Sequence, residues 1–122
     1  MYLMQFVRNI WAGVAGPGVA EVDTVEAARL IDQQNAVVID VRTEAEYAAG
    51  RIPNARHVSL RQLPAHIGGL EKYKDRPIVV SCRTGSRSRS AVAYLAENGF
   101  EEVYNLKGGL IAWARARQTI EN

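Results

Sequence analysis

Cysteine is nearly absent from this chain: Cys82 is the only one in 122 residues. An internal disulfide and a multi-thiolate zinc site are therefore excluded. A resolving thiol is missing too, so any covalent species formed on Cys82 has to be discharged by a second molecule. Histidine is almost as scarce. His57 and His66 lie in different local contexts and read as surface or hydrogen-bonded structural residues, so no metal site is expected. A dominant sign of charge is lacking as well. With 15 basic against 13 acidic residues the formal net charge is +2, and no long basic run occurs, which speaks against a nucleic-acid partner. The basic residues are mostly arginine, and several lie near the stretch described next, which suits a small anion better than a polyanion.

Long apolar runs are missing. The longest uncharged stretch near the amino end, Asn9–Ala20, falls short of the ~20 residues a membrane span needs and contains Gly16-Pro17-Gly18. A signal peptide fits poorly, because Arg8 is the only positive charge ahead of it and glycines dilute the apolar segment. A cytoplasmic protein is the expectation. Leu3, Phe6 or Val7, Ile10, Trp11 and Val14 share one helical face, so residues 1–20 read as an amphipathic helical extension ended by Gly16-Pro17-Gly18. It is expected to pack on its own domain or on a sister subunit in a homodimer, with contact to a membrane surface as the alternative.

What the chain does have is one stretch that combines a thiol, glycine and arginine. Pro77-Ile78-Val79-Val80-Ser81 is a β-branched apolar run that reads as a strand buried on both faces. Cys82 stands at its carboxyl end, Thr84-Gly85-Ser86 turns the chain, and Ser88, Ala91, Val92 and Leu95 then recur at helical spacing. Asn98-Gly99 supplies the stop, with Gly99 suited to a left-handed conformation. Backbone N–H groups in such a strand-to-helix turn form an anion-binding nest, and the start of the helix adds unpaired donors and the positive end of its dipole. Arg83 and Arg87 strengthen the same field. A cysteine there is expected to have a lowered pKa and to act as a thiolate nucleophile. A buried structural cysteine is the alternative, but the flanking arginines and glycine serve no purpose in a plain core strand.

The chain reads in order as follows. Asp23-Thr24-Val25-Glu26 is a capping box opening a helix to about Gln33, and Ala36–Val41 is a buried strand. Thr43-Glu44-Ala45-Glu46 is a second capping box whose short helix stops at Gly50. A brief strand follows around Arg56–Ser59, then short helix and loop from Pro64 to Tyr73. After the central strand, loop and helix come a strand at Glu102–Leu106, a closing helix at Gly109–Ala116 and a tail, residues 118–122, expected to fray. Alternation at this spacing means an α/β fold, a small parallel sheet with helices on both faces. The length and a hydrophobic content of 48% fit a single domain, here residues 21–117. Ligands in such sheets bind beyond the carboxyl ends of the strands. Cys82, Asp40 with Arg42, and Lys107-Gly108 converge there. Asp40 and Arg42 read as an ion pair that fixes the strand end and supports the loop indirectly. Lys107 is either positive field at the rim or plain surface.

Three stretches carry a resemblance. The six-residue loop Cys82-Arg83-Thr84-Gly85-Ser86-Arg87 resembles the active-site loop of rhodanese-like sulfurtransferases. Cysteine-dependent phosphatases and arsenate reductases place one more residue before their arginine, and that position here is Ser88. Asp40-Val41-Arg42-Thr43-Glu44-Ala45-Glu46-Tyr47 with Gly50–Ala55 is similar to the family's first signature, and Leu106–Trp113 to its last. The first signature more usually carries His and Gly where this chain has Arg51 and Asn54.

The resemblance implies a single-domain enzyme of the thiosulfate sulfurtransferase type, without metal or organic cofactor. Cys82 would take the outer sulfur of a small anionic donor as a persulfide and pass it to cyanide, a thiol or a protein acceptor. Thr84, Gly85 and Ser86 would line the anion site with Arg83 and Arg87. Arg83 favours thiosulfate, because mercaptopyruvate-using relatives tend to have a small residue there. A sulfur-relay module serving a protein partner is the alternative, and a phosphatase a more distant one.

Overall fold

The computed structural model describes residues 19–122, so the expected amino-terminal helix lies outside the described residues. Five strands form the sheet: β1 (Glu21–Val22), β2 (Val37–Asp40), β3 (Arg56–His57), β4 (Ile78–Ser81) and β5 (Val103–Leu106). Their order across the sheet is β1-β5-β4-β2-β3, and every pairing is parallel. The helices are α1 (Thr24–Gln34), α2 (Glu44–Ala49), α3 (Leu63–His66), α4 (Arg87–Glu97) and α5 (Gly109–Arg115), with 3-10 turns at Leu60–Gln62 and Ile67–Tyr73. Among the described residues no helix is long and apolar enough to cross a membrane.

Side chains alternate across a strand, so each central strand feeds two cores. Val37, Ile39, Ile78, Val80 and Val103 face α4, where they meet Ala91, Val92 and Leu95. Val38, Val79, Tyr104 and Leu106 face the other way, onto Ala27 and Leu30 of α1 and Trp113 of α5. All four positions of β2, β4 and β5 are buried, which is why these strands lack an apolar-polar rhythm. The same alternation turns Cys82 and Asn105 to the α4 side. The register sets Asp40 opposite Ser81 and Asn105 opposite Val80, so the strands end level with one another at the carboxyl edge.

Two details depart from the sequence reading. Asp23 caps α1 by accepting the Glu26 N–H at 2.8 Å. Glu26 does not reach back to complete the box; it accepts from Arg29 Nε and Nη2 at 2.9 and 2.6 Å. A bidentate, charge-assisted partner one turn on outcompetes a single neutral N–H. The second box, Thr43 with Glu46, is complete. The larger departure is the tail, expected to fray. The chain reverses at Arg117, whose φ is 59°, and Arg51 and Glu121 exchange backbone hydrogen bonds at 2.9 and 2.8 Å. Trp113 Nε1 donates to the Thr119 carbonyl at 2.9 Å, and Ile120 packs against the second core. A buried indole N–H needs an acceptor, and the tail supplies it.

Candidate active site

β4 delivers Cys82 to the carboxyl edge, and Cys82 is wholly buried at 0% exposure. Gly85 then takes φ 97°, a conformation open to glycine at little cost, and folds the loop over the sulfur. The Gly85 N–H stands 3.1 Å from Sγ, the Ser88 N–H 3.4 Å and the Ser88 hydroxyl 3.3 Å. Burial pushes the thiol pKa up. The hydroxyl and N–H of Ser88 and the N–H groups of Gly85 and Thr84 more than offset it, leaving the thiol below its ordinary value.

The loop is shaped from behind by the start of α5. Leu110 N–H donates to the Cys82 carbonyl at 2.8 Å and Ile111 N–H to the Arg83 carbonyl at 3.1 Å. With these carbonyls held outside, the loop's N–H groups face inward. The approach is close enough to require glycine: a Cβ on Gly109 would lie 2.5 Å from the Cys82 carbonyl oxygen. This is the structural content of the Lys107-Gly108-Gly109 stretch. Lys107 itself is exposed, and its backbone N–H bonds to Val22 of β1.

The two loop arginines go to different places. Arg83 is exposed and borders a hollow of about 360 Å³ whose walls include Leu110, Ile111, Ala114 and Ala49. Arg87 makes a bidentate pair with Glu46 of α2, at 2.7 and 2.9 Å. It also borders a second hollow, of about 460 Å³, lined by Thr43, His57 and Arg61 among others. Thr84 and Ser86 are exposed, their hydroxyls 3.5 Å apart.

Asp40 and Arg42 form a buried pair, Nη2 to Oδ2 at 2.6 Å, with Nε contacting both carboxylate oxygens. The remaining Arg42 donors hold the carbonyls of Glu46 and Gly50 at 3.1 and 2.7 Å. The pair therefore clasps α2, and α2 presents Glu46 to Arg87. Breaking such a pair from one side typically costs about 3–5 kcal/mol, because the other charge stays buried.

Sequence reasoning missed three members of this cluster. Glu46 was legible as the second half of a capping box and as one position of the first signature, with nothing to mark it as the partner of Arg87. Ser88 was legible only as part of a helical stripe. Asn105 carried no signal beyond being a polar residue in an apolar strand; it is wholly buried and accepts the Ser88 hydroxyl on Oδ1. Among the described residues no group of histidine, cysteine and carboxylates could hold a metal ion.

Both the sequence and the fold that carry this loop have counterparts among known proteins. The sequence profile of the rhodanese-like domain matches residues 23–116. This chain belongs to the rhodanese-like family. The rhodanese-like domain is 42% identical over 98 residues to a sulfurtransferase of Allochromatium vinosum, spanning 80% of this chain and 90% of that protein. It is 37% identical to the thiosulfate sulfurtransferase GlpE of Pseudoalteromonas translucida, over 78% of this chain and 89% of the relative. The tRNA uridine(34) hydroxylase of Cronobacter sakazakii is 36% identical over 74% of this chain but only 27% of its own length. Among solved structures, a rhodanese-related protein of Thermoplasma volcanium superposes with a TM-score of 0.75 at 25% identity, covering 83% and 96% of the two chains.

Proposed function

We propose that this rhodanese-like domain is a sulfurtransferase that carries sulfur as a persulfide on Cys82, with thiosulfate as the donor. The observation that carries the reading is the ring of donors around Sγ, from Gly85 and from both the backbone and side chain of Ser88. In the first half-reaction the Cys82 thiolate attacks the outer sulfur of thiosulfate. A new S–S bond forms, the old one breaks, and sulfite leaves with the electron pair. The negative charge then sits on the outer sulfur, and loop N–H groups stabilise it as an oxyanion hole stabilises oxygen. In the second, the lone pair of cyanide or a thiol attacks that outer sulfur, and the S–S pair returns to Cys82 as thiolate. Two such half-reactions give ping-pong kinetics. The names of the sulfurtransferase relatives support the reaction, and the buried sulfur suits a small donor. A reducing cytoplasm is the compartment in which a lone thiol survives between turnovers.

The apolar hollow beside Arg83 favours an acceptor larger than cyanide, either a thiol with an apolar body or a side chain of a protein in a sulfur relay. Intact mass after thiosulfate treatment tests the central claim. The protein is expected to gain one sulfur atom and to lose it on adding cyanide, with thiocyanate appearing. A folded Cys82→Ser protein is expected to do neither, since oxygen is a poor sulfur nucleophile and no other cysteine exists. Thiocyanate production by that variant would overturn the reading.

A further inference from the structure

Ser88 sits where two acceptors want one proton. Its hydroxyl lies 3.3 Å from Cys82 Sγ and is also hydrogen-bonded to Asn105 Oδ1. The Asn105 amide cannot turn round to ease the competition. Its Nδ2 donates to the Gly85 carbonyl and to Glu21 Oε2, both at 3.1 Å, which leaves Oδ1 facing Ser88. Cys82, Ser88 and Asn105 are all 0% exposed, so bulk water offers no substitute donor.

We propose that Ser88 is a second catalytic residue, a hydroxyl switch that donates to Cys82 whenever Sγ is charged and to Asn105 whenever it is not. The proposal rests on the sulfur-transfer reading above. In the resting thiolate the proton points at Sγ. Attack on the donor turns Sγ into a neutral, divalent sulfur bonded to Cβ and to the outer sulfur. The hydroxyl then rotates to Asn105, and the loop N–H groups hold the charge one atom further out. When the acceptor takes the outer sulfur, the S–S electron pair returns to Sγ and the hydroxyl swings back to stabilise the departing thiolate. No proton is gained or lost in either direction. Asn105 is a positioning residue: it parks the hydroxyl in the persulfide state and ties the loop, through Gly85, to β5. Its own anchor, Glu21, lies on β1 at the far side of β5.

The test is titration of the single cysteine by its rate of alkylation with iodoacetamide across pH, in the reduced full chain. Ser88→Ala is expected to raise the apparent pKa of Cys82 by about one unit, a tenfold shift of the thiol–thiolate equilibrium toward the thiol. Asn105→Ala is expected to shift it downward, because Sγ no longer shares the hydroxyl. The charged groups on the surrounding elements are Arg83 next in the chain, Arg87 at the start of α4 with Glu46 of α2, the Asp40–Arg42 pair at the end of β2, and Glu21 of β1, which holds Asn105 Nδ2. All are kept in both variants. An unchanged titration in a Ser88→Ala protein that melts like the wild type would show a purely structural bond between α4 and β5 and overturn the proposal. An upward shift in Asn105→Ala would overturn the competition between the two acceptors. Failure of the wild-type protein to take up sulfur would instead sink the sulfur-transfer reading while leaving the titration to stand.

Discussion

At the scale of single residues, Arg83 and Arg87 show how one loop can use the same side chain for two purposes. Arg83 follows the cysteine directly and is exposed beside the apolar hollow. Its guanidinium stands on the solvent side, where a charge-assisted contact is worth less than in a protected site. Arg87 is half-buried and spent on Glu46, so its charge serves the loop before it serves any ligand. Arg83→Ala is therefore expected to raise the KM for thiosulfate roughly three- to tenfold while leaving transfer from an uncharged sulfane donor little changed. Arg87→Ala is expected to slow transfer from every donor by about tenfold or more, because the start of α4 loses its tether. Steady-state kinetics of both variants with both donors decides it, and equal losses across the board would show that the two arginines share one role.

Among the elements, α2 is a short helix with no buried residue, yet it is fastened at both ends. Thr43 caps its start, Arg42 grips its carbonyls, and Glu46 projects from it to Arg87. The Arg87 guanidinium, helped by the Thr43 N–H and hydroxyl, holds the Glu46 carboxyl at a pKa of about 2, against an ordinary value of 4.5. The folded value lies below the unfolded one, so the tether's contribution is complete above pH about 4.5 and is lost as pH falls toward about 2. Urea unfolding of wild type and Glu46→Gln as a function of pH checks this. The wild type is expected to be the more stable near neutrality, by a modest margin given the half-exposed setting, and the two curves are expected to converge near the lower limit. A stability gap that persists unchanged down to that limit would assign Glu46's contribution to something other than its charge.

For the molecule as a whole, the tail closes the second core. Deleting residues 118–122 removes the Trp113 acceptor, the paired backbone at Arg51 and the apolar cover from Ile120. A loss of about 1–3 kcal/mol in urea unfolding is expected, against no loss for a tail that merely frays. Ile120 also lines the hollow beside Arg83, so the truncation is expected to change KM for bulky thiol acceptors more than for cyanide.

Much of this architecture was open to reading because it is local. The apolar run ending at Cys82, the glycine turn, the Ser88–Leu95 stripe and the Thr43 capping box each depend on neighbours within a turn or a strand, and each forms as the residues suggest. The parallel sheet follows from their alternation, since a strand that returns by a helix has few other ways to pair. Glu46 reaching Arg87, Asn105 meeting Ser88, and the tail folding onto Trp113 were closed to it. Glu46–Arg87 and Ser88–Asn105 join residues 41 and 17 apart. The tail can reach Trp113 only by reversing at Arg117 to pair with Arg51, 70 residues from Glu121. No local propensity marks such partners until strand order and register bring them together. β5 lies beside β4 although β4 also pairs with β2, and that ordering alone puts Asn105 under the loop. The sequence by itself determined a thiol at a strand end inside a nest of N–H groups. Only the tertiary structure decided which buried side chains surround that sulfur, because their positions depend on packing across the sheet rather than on position along the chain.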